Sequence, residues 1–300
     1  MQRCIPLFLS AFFLSSLAAA TEVRAGGFLT AHYAGEHGDV ATDHPTALYF
    51  NPAGLALGSG WRIYAEGILA WRTVEYNRPE GAISNRIDGE GQTGTPENGV
   101  DANAGKAKLN NIIAAPFLGV VSDLGVPNLG VGVGAYVPFG GQADWDKDKS
   151  FADNQEFPGA YDGVQRWSAV NGSIRTLYVT AAGAYRLAGP RLAFGAGINF
   201  TESSVYTVRA RNPQGTDDLV LPSGDPAEGR SMVDVSGFAL AASAGVNWEP
   251  IDGLFVAASY QSQPGFGKAN QSGTLNDKFG NAPAIQEDIR FEQELPDIYR

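Results

Sequence analysis

Three histidines, one cysteine and a short acidic run are the residues of this 300-residue chain whose chemistry could reach beyond packing. His32, His37 and His44 lie close in sequence. Metal ligation needs a fixed geometry, and neither a cysteine pair nor an i,i+4 helical spacing accompanies them; polar residues of an N-terminal segment are the plainer reading. Asp144-Trp145-Asp146-Lys147-Asp148 alternates carboxylates as a calcium loop does. Lys149, however, stands where such a loop turns on glycine, and Gln155 where it closes on glutamate, which leaves a solvated acidic loop as the alternative. A nucleophile, base and orienter cannot be assembled, because every histidine precedes residue 45 and there is no Gly-x-Ser-x-Gly turn. No Gly-rich phosphate loop is present either. The expectation is a protein without metal or cofactor that is not an enzyme. A net charge of -11 argues against nucleic acid as a partner, which would need a basic face.

The remaining candidates are charges, aromatics, glycines and prolines whose meaning depends on the elements that carry them. Composition narrows those elements. Charged residues are 18% of the chain and glycines number 38, against roughly 25% and 7% in ordinary soluble domains. Met1 to Ala25 reads as a secretory signal: Arg3 gives the positive start, Ile5 to Leu17 the apolar core, and cleavage follows Val23-Arg24-Ala25 (an earlier cut after Ala20 is the alternative). Cys4 leaves with it, so the exported chain has no disulfide.

From Trp61 the pattern turns two-fold. Trp61, Ile63, Ala65, Gly67, Leu69 and Trp71 take one face, and Arg62, Tyr64, Glu66, Ala70 and Arg72 the other. Ten residues between the tryptophans span about 33 Å of strand. Tilted by about 40–45°, that is roughly 25 Å of height, the depth of a lipid band between two aromatic girdles. Alternation recurs from Leu129 to Val137, Thr176 to Tyr185, Leu192 to Phe200, Phe238 to Trp248 and Leu254 to Gln261. Asn111 to Val121 and Ile285 to Leu295 are weaker strands, the first with a bulge or kink at Pro116. Long connections (79–106, 140–172, 212–229, 264–284) alternate with tight ones (123–128, 188–191, 249–253). Such alternation is that of extracellular loops and periplasmic turns. The fold class is therefore all-β, a transmembrane antiparallel β-barrel.

The pattern resembles the outer-membrane long-chain fatty-acid transporters, the FadL/TodX family. The resemblance rests on Gly26-Gly27-Phe28, on His32-Tyr33-Ala34-Gly35 through Val40-Ala41-Thr42-Asp43, and on Asn51-Pro52-Ala53-Gly54-Leu55. It continues through Tyr136-Val137-Pro138-Phe139-Gly140, Gly245 to Pro250, Ser259-Tyr260-Gln261-Ser262 and Leu295-Pro296. It implies a 14-stranded barrel occluded by an N-terminal hatch, here residues 26–58, with residues 59–300 as the N-terminal part of the barrel. About eight strands are expected here, too few to enclose a hatch, so the sequence reads as part of a longer protein. A barrel closed by pairing the strand near Trp61 with that near Ile289 would refute this.

The resemblance also implies passive transport of long-chain fatty acids or other hydrophobic molecules, by capture on extracellular loops, passage into the barrel and lateral exit. Hatch and gating residues would be Asn51, Pro52, Ala53 and Gly54. The lateral opening would lie at the third strand, with Gly130, Gly132 and Gly134 inward and Pro138 at its end; making room for the hatch is an equal reading of those glycines. Phe139, Trp145, Phe151, Phe157, Tyr161 and Trp167 form either a ligand-capture loop or a self-packed one. Arg62, Glu66 and Arg72 share the inward face of the first strand. They serve to tie the hatch to the wall or, alternatively, to meet a carboxylate. Expected partners are hydrophobic small molecules, outer-membrane lipid and lipopolysaccharide, around a monomer in a Gram-negative outer membrane. A general porin or a surface-binding barrel is the other function considered, and an outer-membrane lipase the enzyme alternative.

Overall fold

The structure, a computed structural model, describes residues 32–280 and 282–300; the expected signal segment and the Gly26-Gly27-Phe28 start lie outside them. Ten strands form one antiparallel sheet: β1 (Arg62–Arg78), β2 (Gly105–Ser122), β3 (Leu129–Asp144), β4 (Asn171–Leu187), β5 (Leu192–Arg211), β6 (Gly229–Ile251), β7 (Leu254–Gln261), β8 (Ala269–Phe279), β9 (Ile285–Gln293) and β10 (Ile298–Tyr299). Neighbours in sequence are neighbours in the sheet from β1 to β6, joined alternately by long loops and by tight turns. The turn from β2 to β3 uses Leu124 (φ 52°), Gly125 (φ 75°) and Asn128 (φ 64°) in the left-handed region, where Gly and Asn are least strained.

The two-fold pattern becomes two physically distinct faces. Trp61, Ile63, Leu69 and Trp71 stand outward, Trp71 80% exposed. Phe194, Ile198, Phe200, Phe238 and Leu240 do the same on β5 and β6. Exposed apolar area on this scale is what a lipid-facing wall requires. The inward face carries Phe117, Tyr136, Tyr178, Asn199 and Val235, all buried.

Two expectations need correction. The segment 264–284 is not a plain loop, because it contains β8. β7 and β8 both pair with β6, β7 along Ser243–Ile251 and β8 along Gly229–Ser236, so together they form one wall strand interrupted at Ser262–Lys268. β9 and β10 form the next, interrupted at Glu294–Asp297. The ten strands therefore occupy eight wall positions, the number read from periodicity. Second, Pro116 does not kink β2: its register with β1 runs unbroken from Arg62↔Val121 to Arg78↔Gly105. What stops near Pro116 is the other ladder, to β3, which ends at Phe117↔Tyr136. No ladder joins β1 to β9 among the described residues.

Candidate functional site

The N-terminal segment, residues 32–58, lies against the inward face. It has no regular element beyond single helical turns at Gly35–His37, Ala47–Phe50 and Pro52–Leu57, so its backbone groups need other partners. Asn51 supplies several. Fully buried, it donates to Val40 O (2.8 Å) and to Val246 O of β6 (2.9 Å), and its Oδ1 accepts from Ala53 N (3.1 Å). Asn247 donates to Ala41 O at 3.1 Å, and Ser259 to Phe50 O at 2.6 Å.

Three inward glycines make this approach possible. A Cβ at Gly245 would collide with the Asn51 amide oxygen, one at Gly195 with the Pro52–Ala53 backbone, and one at Gly130 with that of Leu55–Ala56. Gly132 and Gly134 leave room for the Leu48 side chain. Asn51, Pro52 and Ala53 thus sit in a seat cut into β5 and β6, and Leu55–Ala56 in its continuation on β3, with Gly54 between them against Thr42 O. Gly195 and Gly245 were not singled out from sequence; their positions on the apolar-alternating strands were the available signal.

Charges of β1 complete the attachment. Arg62 donates to Asp43 O and to Leu55 O (3.1 Å), and Glu66 accepts from Ala34 N at 2.7 Å. Arg72 differs from the other two. It donates to Asn111 Oδ1 (3.2 Å) and to Gln142 O, bracing wall to wall. His44 packs edge-on against Tyr64, centroids 4.2 Å apart, and its pKa is lowered by burial and then by neighbouring His37.

Above the seat an aromatic cluster fills the inward space. Phe117, Tyr136 and Tyr178 stack across β2, β3 and β4 at 5.6 Å spacing, and Tyr33, Tyr49 and Phe139 close on them at 5.1–6.2 Å. Beside this cluster the wall opens. β3 carries one extra residue between Tyr136↔Tyr178 and Phe139↔Thr176, a bulge at Val137–Pro138. Proline there has no N–H to offer a ladder.

Beyond the bulge β3 pairs with β4 alone. Among the described residues it meets β2 again at the Leu109↔Trp145 bridge, where Asp146 N donates to Lys108 O (2.9 Å) and Asn110 donates to the Asp146 carboxylate (3.3 Å), and where Asn111 reaches Gln142 O, which Arg72 of β1 also reaches. Ile112–Pro116 and Val137–Gly141 are thus the lips of an unpaired stretch. Through the β1 register it lies level with Gly67 to Trp71, inside the lipid-facing height.

The six loop aromatics do not form one surface. Phe139 belongs to the inward cluster. Phe157 is buried with Ala102, Ala160 and Leu219, and Phe151 and Trp167 pack on that same loop core. Trp145 lies at the rim against Tyr76, centroids 6.3 Å apart, and Tyr161 is exposed. Beneath the loop core is a charge network that the sequence did not announce. Arg166, fully buried, makes a two-pronged pair with Glu228 (2.9–3.0 Å) and donates to Ala102 O (2.8 Å). Arg230 joins Glu228 and Asp162, and Lys147 pairs Asp162 at 2.8 Å. Burial raises the Asp162 pKa, but the Lys147 and Arg230 hydrogen bonds outweigh it and hold the carboxyl below its ordinary range.

Comparison with known proteins agrees with this geometry. Residues 7–296 match the family model described as outer membrane protein transport protein (OMPP1/FadL/TodX). Solved structures share the fold. They include a Pseudomonas aeruginosa FadL homologue (TM-score 0.52, 17% identity, 81% of this chain and 52% of that one), the P. putida toluene transporter TodX (0.51, 15%, 84% and 59%) and the Ralstonia pickettii toluene transporter TbuX (0.51, 17%, 84% and 61%). The chain spans between half and three-fifths of the length of these structures. No curated protein sequence gives a match. A wall of alternating strands, a segment seated on inward glycines and a family match over nearly the whole length converge: the chain belongs to the OMPP1/FadL/TodX family of outer-membrane transport proteins.

Proposed function

We propose that this protein conducts hydrophobic molecules, long-chain fatty acids or aromatic hydrocarbons, passively across the outer membrane and releases them sideways into the bilayer. The observation that carries the reading is the unpaired stretch between β2 and β3 beside the Phe117–Tyr136–Tyr178 cluster. Backbone without ladder partners is costly in lipid, so a wall that leaves it there serves a purpose other than closure. An apolar molecule resting among these rings would pass, on leaving, between lips that carry the apolar side chains of Ile112, Ala114, Val137 and Phe139. The N-terminal segment acts as the hatch below, and the loops with Trp145 and Tyr161 at the rim act in capture. The protein works as a monomer surrounded by outer-membrane lipid and lipopolysaccharide.

Deleting Pro138 tests the exit. Removing the one extra residue brings β3 back into step with β4 while every side chain above the bulge keeps its face. The ladder to β2 is then free to extend past Phe117. Uptake of labelled oleate into proteoliposomes is expected to fall at least tenfold, with the barrel intact by heat-modifiable electrophoretic mobility. Undiminished uptake in a barrel whose β2 amides have become protected would refute a side exit.

A further inference from the structure

We propose that His44 is a proton-operated latch on the N-terminal segment: neutral, it holds the middle of the segment in place, and protonated, it lets that middle loosen. The inference rests on the reading of the segment as a hatch for its purpose. Nδ1 of His44 accepts from the Thr46 backbone N–H at 3.4 Å and lies 3.1 Å from the Thr46 hydroxyl. A backbone N–H can only donate, so Nδ1 carries no proton here and the ring is neutral, with its hydrogen on Nε2. Thr46 is fully buried, and its N–H has no other acceptor among the described residues.

Thr46 opens the helical turn Ala47–Phe50, and its carbonyl accepts from Tyr49 N at 2.9 Å and Phe50 N at 3.0 Å. That turn carries Leu48, which fills the space left by Gly132 and Gly134, and Tyr49, whose ring lies 5.4 Å from that of Tyr136. Asn51 follows directly. A proton on Nδ1 turns the acceptor into a donor facing a buried N–H. The turn then loses the contact that fixes its first residue.

The surrounding charges set the direction of the response. On its own segment His44 faces His37, whose ring stacks at 6.3 Å with 19° between the planes, and Asp43. From β1 it faces Arg62, Tyr64 and Glu66. His37 and Arg62 oppose a new positive charge. Asp43 and Glu66 favour one, but Glu66 already accepts from Ala34 N at 2.7 Å. Burial adds the largest opposition, and the balance holds the His44 pKa below its ordinary value. Docking is therefore full above about pH 6.5 and weakens as pH falls through the lowered value.

Hydrogen exchange of the full chain in detergent micelles tests the latch without requiring transport. Between about pH 7.5 and pH 5.5 histidine titrates while ordinary carboxylates stay ionised. Over that step the protection factors of amides 46–51, corrected for intrinsic exchange, should fall at least fivefold in the parent, with those of the β5–β6 ladder unchanged. H44N keeps an oxygen that reaches the same N–H two residues on and does not titrate. Its protection should match the parent's at the higher pH and stay there. H37Q should keep the response and move its midpoint to higher pH. A parent that loses no protection, or an H44N variant that loses it as the parent does, would overturn the latch. A working latch in a protein that carries no labelled oleate across a bilayer would instead overturn the transport reading and leave the latch standing.

Discussion

Asn51 ties the N-terminal segment to itself and to the wall, because it satisfies a carbonyl of its own segment and one of β6 at once. Asn51→Ala leaves the half-buried Val40 O and Val246 O without that donor, at about 1–3 kcal/mol for each group left unsatisfied. The expected result is a barrel of normal heat-modifiable mobility with raised single-channel conductance and faster proteolysis near residue 40. A variant that fails to assemble would show that Asn51 builds the wall instead. Gly245→Ala should produce the same loosening, since its new methyl displaces the Asn51 amide. At this scale the sequence was informative only in part. The resemblance marked Asn51, Pro52, Ala53 and Gly54 as residues of the N-terminal segment to watch. The partners of Asn51 were not legible, because Val246 and Gly245 lie almost two hundred residues away and a glycine within an alternating strand looks the same whether it faces lipid, lumen or another backbone.

Among the elements, β2 and β3 carry the functional asymmetry. Backbone amides of Ile112–Ala115 that point toward β3 should exchange with deuterium faster than those of Leu118–Val121, which the β2–β3 ladder protects. Equal protection on both sides of Phe117 would mean that the wall is closed. Strand existence and the tight turns were legible because period-two alternation and Pro/Gly/Asn/Asp clusters are local signals. The bulge was half-legible: Pro138 marked a break, but the one-residue slip that turns Phe139 inward is set by pairing with Thr176. The strand β8 was missed. Its outward positions Asn270, Ser272, Asn276 and Lys278 are polar, so it has no apolar face to alternate against and reads as a loop. It exists because the upper half of β6 gives it a ladder.

Over the whole molecule, the loops cap the inward space through buried ion pairs while the wall stands on apolar alternation, so acid should separate the two. Asp162 has its pKa held below the ordinary carboxylate value of about 3.9. A depressed carboxyl contributes stability that is present above that ordinary value and is lost as pH falls through its folded pKa. Acidification below about pH 4 should therefore release the Lys147–Asp162–Arg230 link and expose the 149–167 loop to pepsin, with the barrel still resistant. A loop that stays resistant until the barrel itself unfolds would contradict this division. Composition and alternation were enough to read a membrane wall of eight positions. The charged cap was not legible, since Arg166, Glu228 and Arg230 meet only through the fold. The most direct test of the central claim is permeation by the full chain in liposomes. Saturable uptake of labelled oleate or an aromatic hydrocarbon with little sugar-driven swelling is the predicted result; free passage of small sugars without hydrophobe uptake would contradict it and mark the barrel as a general porin.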